Sequence, residues 1–160
     1  MSEPLPIRPI EPDDYHLVAS VIDAWWGGRS MRALIPPLFF EHFRPTSFAA
    51  GEPGTVRAFL LGFQSQSHPK VGYIHFAGVE PAFRGRGFGR ILYERFFAAA
   101  AVLGCGQVQC ITSPMNKGSI AFHKAMGFEI LPGTGEVDGV PVSLDHSGEG
   151  QHRVVFRRML

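Results

Sequence analysis

The sequence predicts a mixed α/β domain, and three observations carry that expectation. Apolar strand-like runs alternate with amphipathic helical runs from Val71 to Leu131, the order that builds a sheet with helical crossovers. The run QVQCIT, Gln107 to Thr112, holds no charged residue, as suits a central strand covered on both faces. Composition suits a packed core: 45% of the 160 residues are hydrophobic, including 14 Phe. A chain of this length buries roughly 70% of its unfolded surface. No composition shift or repeat marks a second unit, so one domain over residues 1–160 is expected.

The elements follow in order. EPDDYHLVASVIDAWW reads as a first helix, with Pro12 in its first turn and Asp13 and Asp14 at the positive end of its dipole. Val18, Val21, Ile22, Trp25 and Trp26 give it an apolar face, and Gly27-Gly28 stops it. A helical piece from Met31 to Phe43 is broken by Pro36-Pro37. Strands are expected at Ser47–Ala50, Thr55–Phe63 and Val71–Val79. A long helix runs from Phe88 to Leu103, its apolar stripe being Phe88, Ile91, Leu92, Phe96, Ala99 and Leu103, with Gly104 as its stop. After QVQCIT a shorter helix spans Lys117 to Met126, capped by Asn116. Strands at Phe128–Leu131 and in HRVVFRRML complete the chain, with the glycine-rich stretch 132–150 mostly loop around a strand at Val140–Leu144. Helical crossovers on both sides of QVQCIT imply parallel pairing there.

Charge and cysteine content exclude several classes. Fifteen basic and 14 acidic side chains leave a formal charge of +1, too little field for a dedicated nucleic-acid or anionic-membrane binder. No apolar run reaches the length of a membrane span. Cys105 and Cys110 form no CxxC motif, and His42, His68, His146 and His152 lack ligand spacing, so no metal role is assigned. With no signal-peptide pattern at the start, a reduced, cytoplasmic setting is expected.

The stretch RGRGFG, Arg84 to Gly89, admits two readings. Arginine–glycine tracts that bind RNA are repeated and lie in polar surroundings. Here the stretch occurs once, between an apolar strand and an amphipathic helix. A strand–turn–helix unit with three glycines presents the unpaired N–H groups of the helix start to an anion. Arg84, Arg86 and Arg90 can add charge-assisted contacts. Neither GxGxxG nor GxxxxGK[ST] fits this spacing.

Two motifs in register extend the reading. Val79-Glu80-Pro81 precedes Arg84-x-x-Gly87-x-Gly89 and the long helix; Asn116, the helix GSIAFHKAM and Gly127-Phe128 then follow. Together they resemble the cofactor signature of the GNAT superfamily of acyl-CoA-dependent N-acyltransferases. The resemblance covers Tyr73 to Phe128. It implies a central mixed sheet of about six to seven strands, with helices on both faces and strands splayed at the coenzyme site. It implies acetyl-CoA as co-substrate and no metal. It places the pantetheine arm along the strand end Ala77, Gly78 and Val79, and the pyrophosphate over Arg84, Gly85, Arg86, Gly87, Phe88, Gly89 and Arg90. Asn116, Ser119 and Phe122 would flank the same arm.

The expected reaction is acetyl transfer to a primary amine of a small molecule or peptide. The alternative is a binding module that holds acyl-CoA without acceptor chemistry. The family commonly places a tyrosine acid seven residues after the Asn, where this chain has His123. A neutral imidazole donates poorly, so His123 as acid must be imidazolium, which the end of a short helix favours. The other reading has His123 packing against the coenzyme. For a base, Tyr73 and His75 share one face of a regular strand. His75 holds the offset of a histidine that relays a proton in some relatives, and water alone is the other option. Trp25, Trp26 and Arg29, at the end of the first helix, are candidates for the acceptor site, with Arg29 and Arg32 able to meet a carboxylate. Dimerisation is frequent in the family, and no segment of this sequence decides it.

Overall fold

The computed structural model describes residues 4–160. Its main sheet has seven strands: β1 (Ile7–Pro9), β2 (Phe48–Ala50), β3 (Ala58–Gln64), β4 (Val71–Val79), β5 (Gln107–Thr112), β6 (Glu129–Ile130) and β9 (Val154–Met159). Their spatial order is β1-β2-β3-β4-β5-β9-β6, and β7 (Gly135–Val137) with β8 (Val140–Val142) forms a separate hairpin. The helices are α1 (Asp14–Trp25), α2 (Leu38–His42), α3 (Phe88–Val102) and α4 (Lys117–Ala125). Among the described residues no helix is long and apolar enough to cross a membrane.

One pairing expectation is corrected. β5 lies parallel to β4 across the α3 crossover, but its other neighbour is the antiparallel β9. The chain leaving α4 enters β6, which pairs with β9 and not with β5. The terminal strand, with Val154 and Phe156 fully buried, inserts between them.

The two faces of the sheet carry separate cores. Beneath α3 and α4 pack Leu60, Ile74, Leu92, Phe96, Val108 and Phe156; beneath α1 and α2 pack Val18, Ile22, Phe40, Phe59 and Leu61. The stripe of α3 is rotated from the expected one. Leu92, Tyr93, Phe96, Phe97 and Ala100 are buried, while Ile91 and Leu103 stand in solvent. Three aromatic rings, Tyr93, Phe96 and Phe97, outweigh Ile91 and Leu103 in deciding which face is covered, because the larger rings bury more apolar area.

Two polar latches position α1 and β4. Asp14, only 2% exposed, takes both Nη groups of Arg8 at 2.7 and 2.9 Å and the backbone N–H of Glu11 at 2.7 Å. Arg8 also donates to the carbonyls of Gly51 and Thr55, so β1, the 51–55 turn and the start of α1 meet at one guanidinium. On β4 the register with β3 slips between Leu61 and Gly62, leaving His75 as the extra residue of a bulge. The Ser47 hydroxyl accepts from the N–H of Gly62 at 3.1 Å, and the Thr46 hydroxyl donates to its carbonyl at 2.6 Å. Side chains thus satisfy Gly62's buried backbone groups beside the slip.

The bulge changes which residues face which core. Before it, Gly72 and Ile74 face α3, while Tyr73 and His75 face the aromatic residues Phe63 and Phe39. After it, Phe76 and Gly78 face α1 through Trp26 and Phe59, while Ala77 and Val79 pack toward α3. Tyr73 and His75 therefore share a face as expected, and Phe76 joins them.

Candidate active site

The central gap arises from β4 and β5. They pair only over Val71–Tyr73 with Gln107–Gln109. Beyond that, β4 stays with β3 as far as Val79 and β5 stays with β9 as far as Thr112. The bulge lies where the pairing stops, and bulged strands bend and twist away from their neighbours. Two clefts open into the gap, of about 630 Å³ on the glycine-turn side and about 820 Å³ on the opposite side. Trp26, Arg29, Ala77, Tyr93, Asn116, Ser119 and His123 line both.

On the first side the glycine turn has the geometry an anion cradle needs. Gly85 and Gly87 adopt φ of 76° and 86°, and nothing lies within 4 Å of where a Cβ would stand on either. Gly87 is the residue before the first turn of α3, whose leading N–H groups have no helical partner. Arg86 lies over the Phe83 ring at 4.9 Å, and Arg90 reaches Glu94 on the exposed helix surface. Arg84 lines the smaller cleft, and its guanidinium donates to the carbonyl of Val79 at 3.1 Å and of Trp25 at 2.7 Å, so that it also ties α1 to the end of β4. The smaller cleft is also lined by Ala77, Gly78, Val79, Gly89, Asn116, Ser119 and Phe122. Phe88 packs against the core beneath it. Asn116 accepts from the Ser119 N–H at 3.0 Å through its side-chain oxygen, closing the N-terminus of α4 and leaving its amide nitrogen for the cleft.

At the junction stands His123, 6% exposed. Its Nδ1 lies 2.7 Å from the Ser119 carbonyl, which can only accept, so Nδ1 carries the proton. Nε2 then accepts from the Tyr93 hydroxyl at 2.9 Å. The ring stacks on Phe156 and is edged by Phe122 and Phe128. Burial lowers the imidazole pKa, and the bond to Ser119 only partly offsets it. The imidazolium expected from the helix terminus is therefore corrected to a neutral ring. A helix end is worth about 0.3–1 kcal/mol to a cation, whereas desolvating a charge costs several kcal/mol. Tyr93 is 5% exposed, and burial raises its phenol pKa well above the ordinary value. Sequence reasoning missed it. The signal was a tyrosine one turn before Phe96-Phe97 on α3, but its partner lies 30 residues away.

The larger cleft is lined by Tyr73, His75 and Phe76 of β4 and by Trp26, Arg29, Met31 and Leu34 from the chain after α1. His75 stacks on Phe39 at 4.3 Å, and its Nε2 donates to the Leu34 carbonyl, which leaves Nδ1 as the basic nitrogen. Tyr73 packs on Phe63, and burial raises its pKa. The two tryptophans separate. Trp25 is buried against Phe59 in the core and touches only the smaller cleft, whereas Trp26 is half-buried on Phe76 between both. The loop after α1 is held by Asp23, whose carboxylate accepts from the N–H groups of Met31 and Arg32. Arg32 itself lines neither cleft, while Arg153, not foreseen, lines the larger one. Cys110 is buried there, and burial pushes its thiol pKa upward, so it is not a nucleophile. Among the described residues no cluster of three metal-ligating side chains occurs.

A strand with a bulge, a glycine turn at φ above zero, and a parallel pair that opens toward that turn together frame the site. The family model for the GNAT acetyltransferases matches residues 10–128, and the chain belongs to that family. Solved structures agree in fold. Ard1 from Thermoplasma volcanium superposes with a TM-score of 0.76 at 20% identity over 97% of each chain. yncA from Salmonella typhimurium, whose structure includes its cofactor acetyl-CoA, gives 0.68 at 17% identity over 99% of this chain and 95% of that one. The ribosomal-protein-S18-alanine N-acetyltransferase from Escherichia coli gives 0.67 at 13% identity, over 96% and 92%. At these identities the likeness is one of fold. No curated protein matches the chain.

Proposed function

We propose that this protein, as one catalytic domain, moves the acetyl group of acetyl-CoA directly to a primary amine. The observation that carries the reading is the meeting of two clefts at the open β4–β5 gap, one beside the glycine turn and the other on the opposite side of β4. Acetyl-CoA supplies the acetyl group as an activated thioester. The turn amides of Gly85 to Arg90 would take the pyrophosphate, with Arg86 and Arg90 at the rim and Arg84 keeping the frame. The β4 edge at Ala77–Val79 and the Asn116 amide would hold the pantetheine arm. The Val79 N–H would meet the carbonyl oxygen as negative charge develops on it.

The chemistry balances without a covalent enzyme intermediate. A nitrogen–carbon bond forms while the carbon–sulfur bond breaks; the amine loses one proton and the sulfur gains one. His75 Nδ1 would collect the first, directly or through water. The Tyr93 hydroxyl would supply the second, swinging from Nε2 of His123 to the departing sulfur. Its high pKa makes full transfer to a thiolate near 8.5 uphill by at least about 2 kcal/mol, a minor part of an enzymatic barrier. His123, fixed by Ser119, would position that hydroxyl.

Titration calorimetry with coenzyme A, followed by thiol release from acetyl-CoA over an amine panel, tests the reading. Binding with amine-dependent release is expected. Binding with no release on any amine would make the protein an acyl-CoA-binding module instead, and failure to bind would remove the coenzyme assignment.

A further inference from the structure

The acceptor side of the gap has a one-sided charge. The protein holds 14 acidic side chains against 15 basic ones, yet no carboxylate lines either cleft among the described residues. Arg29, Lys117 and Arg153 all line the larger cleft. Among the described residues none of the three belongs to an ion pair, whereas Arg8, Arg44, Arg57, Arg90 and Arg157 each have a carboxylate partner elsewhere. Arg29 faces both clefts and so serves either ligand. Arg153 lines the acceptor cleft alone.

Arg153 is also the best-held of the three. Its backbone forms a two-bond bridge with Ser143, at 2.8 and 3.1 Å. Its Nη1 donates to the His152 carbonyl at 2.8 Å, and its Nη2 donates to the Gln151 side-chain oxygen at 3.2 Å. Of five guanidinium N–H groups, those two fix the plane and the others remain for a ligand. A planar, oriented guanidinium matches a carboxylate in a paired geometry that an ammonium cannot reproduce. The rest of the cleft supplies apolar surface through Trp26, Met31, Leu34 and Phe76.

Resting on the acetyltransferase reading above, we infer that the acceptor is an amine that also carries a carboxylate and an apolar side chain, with Arg153 binding the carboxylate. A free apolar amino acid has all three parts. Polyamines and aminoglycoside-like polycations do not suit the site, because each further ammonium would meet three cations and no lining carboxylate. An uncharged peptide N-terminus offers the amine without the anion.

The test compares leucine, methionine, phenylalanine and tryptophan with their amides, a neutral peptide amide and spermidine, by thiol release from acetyl-CoA. The free acids should exceed their amides about tenfold or more in kcat/KM, through KM. Arg153→Gln should shrink that ratio to within about threefold, whereas a change confined to stability would lower acid and amide alike. Binding reads the same site without turnover. Calorimetry on the coenzyme A complex should show an N-acetyl amino acid binding about tenfold more tightly than its N-acetyl amide. Amides, the peptide or spermidine serving as well as the acids, equal or absent binding of both products, or a ratio untouched by Arg153→Gln would each overturn the inference. Coenzyme A binding in those experiments would leave the acetyltransferase reading standing, while its loss would strike that reading first.

Discussion

The two sides of the β4–β5 gap are built from different materials. The glycine-turn side is framed by short sequence motifs, namely the β4 edge at Ala77–Val79, the turn that opens α3 and the capped start of α4, around aromatic side chains such as Trp25, Phe59 and Phe122. The opposite side is mostly side chains, brought from the chain after α1, from β4, from β5 and from residues 147–153. A backbone cradle suits a ligand that does not change, since amides recognise a diphosphate whatever the neighbouring side chains. A side-chain wall can be altered one residue at a time, which suits the partner that differs between family members. Tyr93, His123 and Trp26 belong to both sides, so they couple the two materials.

The largest expected effect falls on that shared group. Tyr93→Phe keeps the ring and removes the hydroxyl, and kcat should fall about 100-fold while coenzyme A affinity, read by calorimetry, stays within about twofold. An unchanged kcat would leave Tyr93 as packing and divide the two sides cleanly. Next comes Gly78→Ala. Its Cβ would stand 2.7 Å from the Trp26 ring and 3.0 Å from Phe59, overpacking that costs about 1–3 kcal/mol of stability. Because Trp26 must shift, both coenzyme and acceptor affinities should weaken, and loss of only one would break the coupling argument.

A third change sharpens the contrast from the backbone side. Gly87→Ala meets no neighbour but must hold φ of 86°, at a strain of about 1–2 kcal/mol. Coenzyme affinity should drop by about tenfold, and acceptor KM, measured at saturating acetyl-CoA, should not move. Equal loss on both sides would show the cradle and the wall to be one unit.

The smallest effect is a pH dependence of stability. Burial lowers the pKa of His123 from its ordinary value of 6.5, so the unfolded chain takes up its proton first as pH falls. The neutral-ring contribution is therefore complete above pH 6.5 and is lost as pH drops from there through the lowered native value. His123→Gln should flatten the decline in denaturation midpoint between about pH 7 and pH 5. An identical decline in both proteins would place the sensitivity elsewhere.

Much of the glycine-turn side could be read from the chain alone. The bounds of β4 and β5 were predicted to the residue, α3 started at Phe88, and Asn116 caps α4 through Ser119 as its position suggested. Each depends on neighbours within a few residues, where periodicity and capping operate. The bonds of Arg84 to the carbonyls of Val79 and Trp25 were not legible, because they form only once α1 lies against β4. The charge of His123 was misjudged because a local dipole is visible in sequence, while the aromatic enclosure by Phe156, Phe128 and Tyr93 is not.

The sequence by itself determined the alternation of strands and helices, the glycine turn and the family to which both point, because these follow from short-range backbone preference and side-chain period. Tertiary structure alone decided that β9 separates β5 from β6, that a bulge sets His75 beside Leu34, that Tyr93 meets His123, and that Arg153 enters a cleft without carboxylates. Those outcomes depend on burial and on contacts between residues far apart in the chain, such as the 30 residues between Tyr93 and His123 and the 41 between Leu34 and His75. Such contacts form when whole faces are covered together, and the free energy that selects them is set by the desolvation of every group on the face.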